Sequence, residues 1–400
     1  MRFVHIEDFV HPDAGYQLNL LGPLQVAQGH EVIIITSEPD HVPSYFTSFF
    51  PVDDLKKRDE DFLNRTGVRI IRYPTYTWYS SRAVFKPKLH RLIKSLKPDV
   101  LFVHGEDTLT GMKLIWDFKR MKMPYVIDCH MLEMASVNKF SDQFRLFFRK
   151  CVTPHILKNN IPLIRVVNSD FVEKHYAIPL KRTKLLAFGT DTLFFSPNEE
   201  NKIKNRKELG INEKEFVVMY AGKMDETKGG RFLAETLREK FILNSNKRIT
   251  FLIIGSTPKN EYGNSIETIF KNSENVILRL PTQNYTQLVK FYQLADIAIY
   301  PKQCGMSYFE AQSCGLPVVL EINEINIERA SNKKGLLFEE GSIPSFRDKI
   351  IQFANMDERT IEVYKKNARN NILVNYNYIP IAQEFTNVMI NEYNRFHNIT

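Results

Sequence analysis

The sequence predicts an α/β protein built on two open, mostly parallel sheets. Three observations carry that expectation. Short β-rich apolar runs alternate with longer amphipathic segments; the alternation lapses at one polar stretch and then restarts; and a chain of 400 residues is longer than a single core usually organises. Hydrophobic residues at 43% and charged residues at 25% leave little room for extended disorder, so the chain is expected to fold throughout.

The first set of apolar runs is MRFVHI (1–6), EVIIITS (31–37), VRIIRYP (68–74), DVLFVHG (99–105), PYVIDCH (124–130) and LIRVVNS (163–169). Nearly continuous apolar strands are those of a sheet buried on both faces, with helices crossing over. Between the third and fourth runs, Leu89, Leu92, Ile93 and Leu96 fall at the spacing of one helical face. After the polar stretch 198–214 the rhythm resumes with EFVVMYAG (215–222), ITFLIIG (249–255), NVILRL (275–280), DIAIYP (296–301) and LPVVL (316–320). Open parallel sheets bind ligands at the carboxyl ends of their strands, so functional residues are expected just after these runs. From about 356 onward the pattern is helical and polar, with aromatics suited to packing.

The formal charge of +8 suits a phosphate-bearing ligand, an anionic membrane surface or nucleic acid. Cys129, Cys151, Cys304 and Cys314 are too scattered for a metal cluster and too few for a disulfide scaffold, which fits a reducing, cytoplasmic setting. The first residues read as a strand and not as a secretory signal. No stretch approaches the roughly 20 apolar residues of a spanning helix, so any membrane contact is expected to be peripheral. Neither a dinucleotide-binding G-x-G-x-x-G after the first run nor a Walker-type phosphate loop is present. The DED at 59–61 lies in a run of charges and reads as a solvated loop, not a metal motif.

Three stretches carry chemistry. In GMSYFEAQSCGLPVV (305–319), Gly305, Met306 and Ser307 open a short helix through Glu310. A helix start after a strand offers free N–H groups and partial positive charge to phosphate, although a plain helix cap fits as well. In YAGKMDETKG (220–229), Lys223 ends a strand and Lys228 begins a helical segment. Two such cations could grip a diphosphate, and a solvated charged turn is the plainer alternative. AFGTDTLFFSP (187–197) sits at the junction of the halves and reads as a structured linker.

Taken in order, these stretches resemble glycosyltransferase family 4, the retaining family of the GT-B fold, along nearly the whole chain. HPDAGYQLNLL (11–21) supplies Gly15 where that family has a glycine-bearing loop, and IDCHMLE (127–133) supplies His130 where it has a histidine. Gly189, Asp191, Phe195 and Pro197 fit its junction motif, with Phe188 in place of an asparagine. Lys223 and Lys228 look like its basic pair. Glu310 matches the second of its two glutamates, but Lys302 stands where the first is found.

The resemblance implies two facing Rossmann-like domains with a cleft between them: an acceptor-side domain over 1–190 and a donor-binding domain over 191–380, with the C-terminal helix from about 380 packing back on the first. It also implies transfer from a nucleotide-diphosphate sugar to a glycan or lipid-linked acceptor with retention of configuration, no cofactor and no divalent metal. Nucleic acid is not an expected partner. Lys223, Lys228 and His130 are the implied catalytic group. Glu310, Gly305, Met306, Ser307 and Lys302 are the implied donor site, and Gly15 borders sugar and acceptor. The substitution at Lys302 keeps two alternatives in view: a member that binds nucleotide sugar without turnover, and a GT-B-type nucleotide-sugar epimerase. The basic run 82–97 and FRLFFRK (144–150) suggest a peripheral contact with an anionic membrane, for which a solvated helix face is a comparable explanation.

Overall fold

The computed structural model describes residues 1–40, 42–43, 52–80, 82–131, 139–244, 247–302 and 305–399. These divide into two compact units. One takes the described residues up to Phe188 and those from Ile379 onward, and the other takes Gly189–Tyr378. Cys304, and Leu132 and Glu133 of the His130 stretch, lie outside the described residues.

The first unit holds β1 (Arg2–Ile6), β2 (Glu31–Ser37), β3 (Arg69–Tyr73), β4 (Thr75–Tyr79), β5 (Arg82–Phe85), β6 (Val100–His104), β7 (Tyr125–Cys129), β8 (Leu163–Arg165) and β9 (Thr183–Leu185). Seven of these form one sheet in the order β3-β2-β1-β6-β7-β8-β9, every pairing parallel. Alternate side chains point to opposite faces of a strand. Ile33 and Ile35 accordingly join one core with Val4 and Ile6, while Val32 and Ile34 join the other with Leu18 and Val68. The helix Leu89–Leu96 covers the first of these faces through Leu89 and Ile93, with Leu92 and Leu96 beside them.

The second unit adds β10 (Phe216–Ala221), β11 (Ile249–Ile254), β12 (Val276–Leu280), β13 (Ile297–Tyr300), β14 (Val318–Glu321) and β15 (Gly335–Phe338). They form a six-stranded parallel sheet in the order β12-β11-β10-β13-β14-β15. No helix among the described residues is long and apolar enough to cross a membrane.

Several local features depart from the sequence-based expectation. The DED segment is not a loop. It lies in the helix Leu55–Thr66, whose Leu55 and Phe62 are buried seven residues apart and whose end is set by Gly67 in the left-handed region. Asp59 accepts hydrogen bonds from Arg72 Nε at 2.6 Å and Nη2 at 2.7 Å, so its charge is paired inside the unit. The polar stretch after 198 contains the helix Glu199–Glu208, capped by the Asn198 side chain accepting from Asn201 N at 2.8 Å. Arg82, read as part of a basic helix face, is in strand β5, which pairs antiparallel with β4.

The C-terminal helix Tyr378–His397 crosses from one unit to the other in sequence, and from Ile379 it belongs with the first. Ala382, Phe385, Thr386 and Met389 are fully buried at the spacing of one helical face, and Phe385 stacks on Phe102 of β6 at 6.0 Å between ring centroids. Truncating such a side chain removes apolar burial and leaves a cavity. Phe385→Ala is therefore expected to destabilise the first unit by about 3–5 kcal/mol, measured as a lowered urea midpoint. An unchanged midpoint would contradict this packing.

Candidate functional site

Both sheets reverse their strand order once, and the crevice at such a switch point is where open parallel sheets bind ligands. In the second unit the reversal lies between β10 and β13. Lys223 follows β10, and Lys302 follows β13. Asp225 shapes the turn between Lys223 and Lys228: its Oδ1 accepts from Thr227 Oγ1 at 2.6 Å and from Lys228 N at 2.9 Å. Gly229 then adopts φ +71°, and a side chain there would come within 3.1 Å of Lys302 Cγ. The Lys302 stem thus lies against the residue that follows Lys228. Burial lowers the Lys223 ammonium, with Lys228 adding to the effect against the pull of Asp225, to a pKa of about 8.

Gly305 and Met306 lie between β13 and the helix Ser307–Ser313, which Ser307 opens, and the space a side chain would take at Gly305 is open. The Tyr300 hydroxyl donates to the Ser307 carbonyl at 2.7 Å, tying the loop to the strand end. Glu310 is 3% exposed and accepts a hydrogen bond from the Tyr292 hydroxyl at 2.9 Å. Burial raises its carboxyl to a pKa of about 7 against that hydrogen bond. The junction segment folds onto this helix. Asp191 Oδ1 accepts from Leu193 N and Phe194 N, Ser313 Oγ donates to the Phe195 carbonyl at 2.6 Å, and Arg369 donates to the carbonyls of Thr192 and Phe195. Tyr292 and Arg369 were not singled out from sequence; each sits in an ordinary helical pattern and acts only through residues distant in the chain.

The remaining two expected residues belong to the first unit. Gly15 lies in the loop after β1, which Asn19 fastens by accepting from Tyr16 N at 3.2 Å and donating to the carbonyls of His11 and Pro12. His130 follows β7, partly exposed, with its Nε2 3.0 Å from Asp128 Oδ1 and its ring 5.4 Å from that of Phe188. Burial opposes charging His130, but Asp128, with Glu7 and Glu106 beyond it, outweighs burial and holds the imidazole at a pKa of about 9. Arg82 stands 3.8 Å from both Asp8 and Asp107, which follow β1 and β6. Burial and Glu7 raise Asp8 to about 7 against Arg82, and burial with Asp107 raises the enclosed Glu106 well above the carboxylate range. Sequence reasoning missed this rim of acids and the Arg82 that bridges it.

The ligand atoms of His104, Asp128 and His130 lie within 4.8 Å of one another. His104 Nδ1 is only 2.7 Å from Asp128 Oδ2, however, which is a hydrogen-bond separation. Two ligands of one tetrahedral zinc stand about 3.3 Å apart, from bonds of about 2.0 Å. These groups are engaged with each other.

Residues 18–184 match the family model described as Glycosyltransferase Family 4, and residues 201–371 match that described as Glycosyl transferases group 1. Among curated relatives, the D-inositol 3-phosphate glycosyltransferase of Corynebacterium aurimucosum is 24% identical over 70% of each chain. The protein of that name from Segniliparus rotundus is 25% identical over 48% of this chain, which spans only 44% of that relative's length. Among solved structures, a glycosyltransferase from Rickettsia africae matches with a TM-score of 0.73 at 13% identity, covering 100% of this chain and 99% of that one. Anabaena Alr3699/HepE in complex with UDP and glucose matches with a TM-score of 0.72 at 16% identity, covering 98% of this chain and 100% of that one.

The buried Glu310 has a measurable consequence. The folded state keeps its proton up to about pH 7, whereas an unfolded chain releases it near 4.5. Folding therefore takes up a proton in that window, and stability falls as pH rises through it. Glu310→Gln should remove a loss of order 3 kcal/mol between those limits, read from urea unfolding at a series of pH values. A pH dependence identical to that of the parent protein would show that the carboxyl is solvated.

Proposed function

The chain belongs to glycosyltransferase family 4 and has the GT-B fold, and from that premise we propose that it moves a sugar from a nucleotide-diphosphate sugar to a glycan or lipid-linked acceptor, with retention of configuration and without a divalent metal. The observation that carries this reading is the gathering of Lys223, Lys228 and Lys302 around the switch point of the C-terminal unit. The bond from the anomeric carbon to the diphosphate oxygen breaks with its electrons going to the diphosphate. The acceptor oxygen bonds the same carbon on the same face, and its proton passes to a phosphate oxygen. Lysines at the leaving group, with amide groups near Met306 and Ser307, stabilise the charge that grows there. Glu310 accepts from the ribose hydroxyls. Gly15 and His130 border the sugar and acceptor, and Asp107 and Glu7 offer further acceptors to hydroxyl groups.

The UDP complex of the Anabaena protein supports a nucleotide-sugar donor. Peripheral docking on an anionic membrane draws support from Phe140, Leu146 and Phe147, which are exposed close to Arg149 and Lys150. Arg82 is set apart from that surface by its acidic partners. Co-sedimentation with vesicles that ignores anionic lipid and salt would remove the membrane contact.

Lys302 favours a second reading, a binding protein without turnover, since it replaces a sugar-contacting carboxylate with a group that only donates. A panel of nucleotide-sugar donors, assayed for free nucleotide diphosphate with and without acceptor, separates the two. Acceptor-dependent release supports transfer, and binding without release supports the second reading. A donor converted to its epimer without acceptor supports an epimerase. In the same assay, Lys223→Ala and Lys228→Ala should each lower transfer by about 10²–10³-fold, while excess chelator should leave it unchanged. Full activity in both variants would overturn the diphosphate assignment, and loss in chelator restored by magnesium or manganese would overturn the metal-free mechanism.

A further inference from the structure

The proposed mechanism makes no use of a line of polar side chains that runs through the middle of the first sheet. His5 on β1, His104 on β6 and Asp128 on β7 are each 3% exposed or less, as is Gln25 on the helix Gln17–Ala27. They are in series. Gln25 Oε1 is 2.8 Å from His5 Nε2, His5 Nδ1 is 3.0 Å from His104 Nε2, and His104 Nδ1 is 2.7 Å from Asp128 Oδ2. The other Asp128 oxygen accepts from Gly105 N at 2.8 Å and lies 3.0 Å from His130 Nε2. Three buried polar groups in an apolar sheet, with a fourth on the helix that covers it, are costly unless each is satisfied. Here the only partly exposed member is the one at the rim.

The donors and acceptors fix the protons. Gln25 Nε2 points to Met389 Sδ at 3.3 Å, and reversing the amide would set its oxygen against a thioether with no hydrogen to give. Gln25 Oε1 therefore accepts and His5 Nε2 donates. At the other end Asp128 accepts and His104 Nδ1 donates. The gap between the two rings then requires a further proton, so His5 and His104 together carry one more than two neutral rings would. Burial and the neighbouring His104 push His5 down to a pKa of about 3, so His5 keeps a single proton, on Nε2. Asp128 is thus a carboxylate fixed at both oxygens, held well below its ordinary range by His130 and His104 despite burial.

We propose that Gln25, His5, His104 and Asp128 form a positioning row that holds the Asp128 carboxylate against the His130 ring, so that His130 meets the substrate as a cation and not as a base. The row does for His130 what a carboxylate does for any histidine it partners, setting which nitrogens carry protons. The groups facing His130 are Asp128 on its own strand, the His104 ring, Glu7 after β1, Glu106 after β6 and the Phe188 ring. The acids among them hold the cation. What His130 touches rests on the glycosyltransferase reading; its charge and the row behind it do not.

The test is a nitrogen NMR titration of the full chain labelled with 15N-histidine, the His130 signal being assigned with His130→Gln. In the parent protein His130 is expected to stay doubly protonated through neutral pH, with a midpoint of about 9, and His5 to show one proton, on Nε2. Asp128→Asn should lower the His130 midpoint by about 1–3 pH units. Its kcat/KM should then fall about tenfold per pH unit above the new midpoint. A His130 midpoint near 6.5 in the parent protein would overturn the proposal. So would an unmoved midpoint in Asp128→Asn, or a kcat/KM in the parent that rises through pH 9. If the titration is as expected but no donor supports transfer, the row stands and the activity assignment falls.

Discussion

Parallel pairing is the constraint from which the rest of this structure follows. When every strand of a sheet runs the same way, each connection must cross back over a face, both faces are covered, and the strand interiors must be apolar. Chemistry is left with the rim where the chain leaves the strands. Glu7, Glu106 and His130 leave the first sheet, and Lys223 and Lys302 leave the second, while the row of His5, His104 and Asp128 is the polar exception on the strands of the first. Where the strand order reverses, neighbouring exits diverge and leave room for a ligand. The second unit places two lysines on the pair of strands that flank its reversal.

Burial next to that rim sets the electrostatics. Lys223 and Glu310 are both pushed toward neutrality by loss of water, in opposite directions on the pH scale, because each charged form is the one that loses solvation. The N-terminal rim behaves differently. Asp8 and Glu106 are pushed up by burial, with Glu7 adding to it at Asp8 and Asp107 at Glu106, whereas Asp128 stays ionised because two imidazoles flank it. One edge of one sheet therefore holds carboxyl groups in both states, distinguished by their partners and not by their depth.

Most of the sheet architecture was legible in the sequence because buried parallel strands leave long apolar runs, and each run in both halves became a strand. What escaped had no such run. β9 is three residues, β5 and β15 are four residues each, and β4 is largely solvent-facing, so the hydrophobic pattern that reports burial is short or weak in all of them. The charged helix Leu55–Thr66 was read as a loop because only Leu55 and Phe62 turn inward. Lys223, Lys228, Glu310 and His130 were singled out through their place after strands and a family likeness. His5 and Asp128 stood inside two of the quoted runs and still passed unnoticed. A histidine in an apolar strand says nothing by itself, and only the order β1-β6-β7, which a sequence does not display, puts His5, His104 and Asp128 in line.

The central claim is that the nucleotide diphosphate is held by the C-terminal unit at its switch point. Hydrogen–deuterium exchange of the full chain with and without a saturating nucleoside diphosphate tests it most directly. The account requires new protection in the segments 222–230 and 305–313, around Lys223, Lys228 and Glu310. Protection confined to the rim of the N-terminal sheet, with those two segments unchanged, would contradict it.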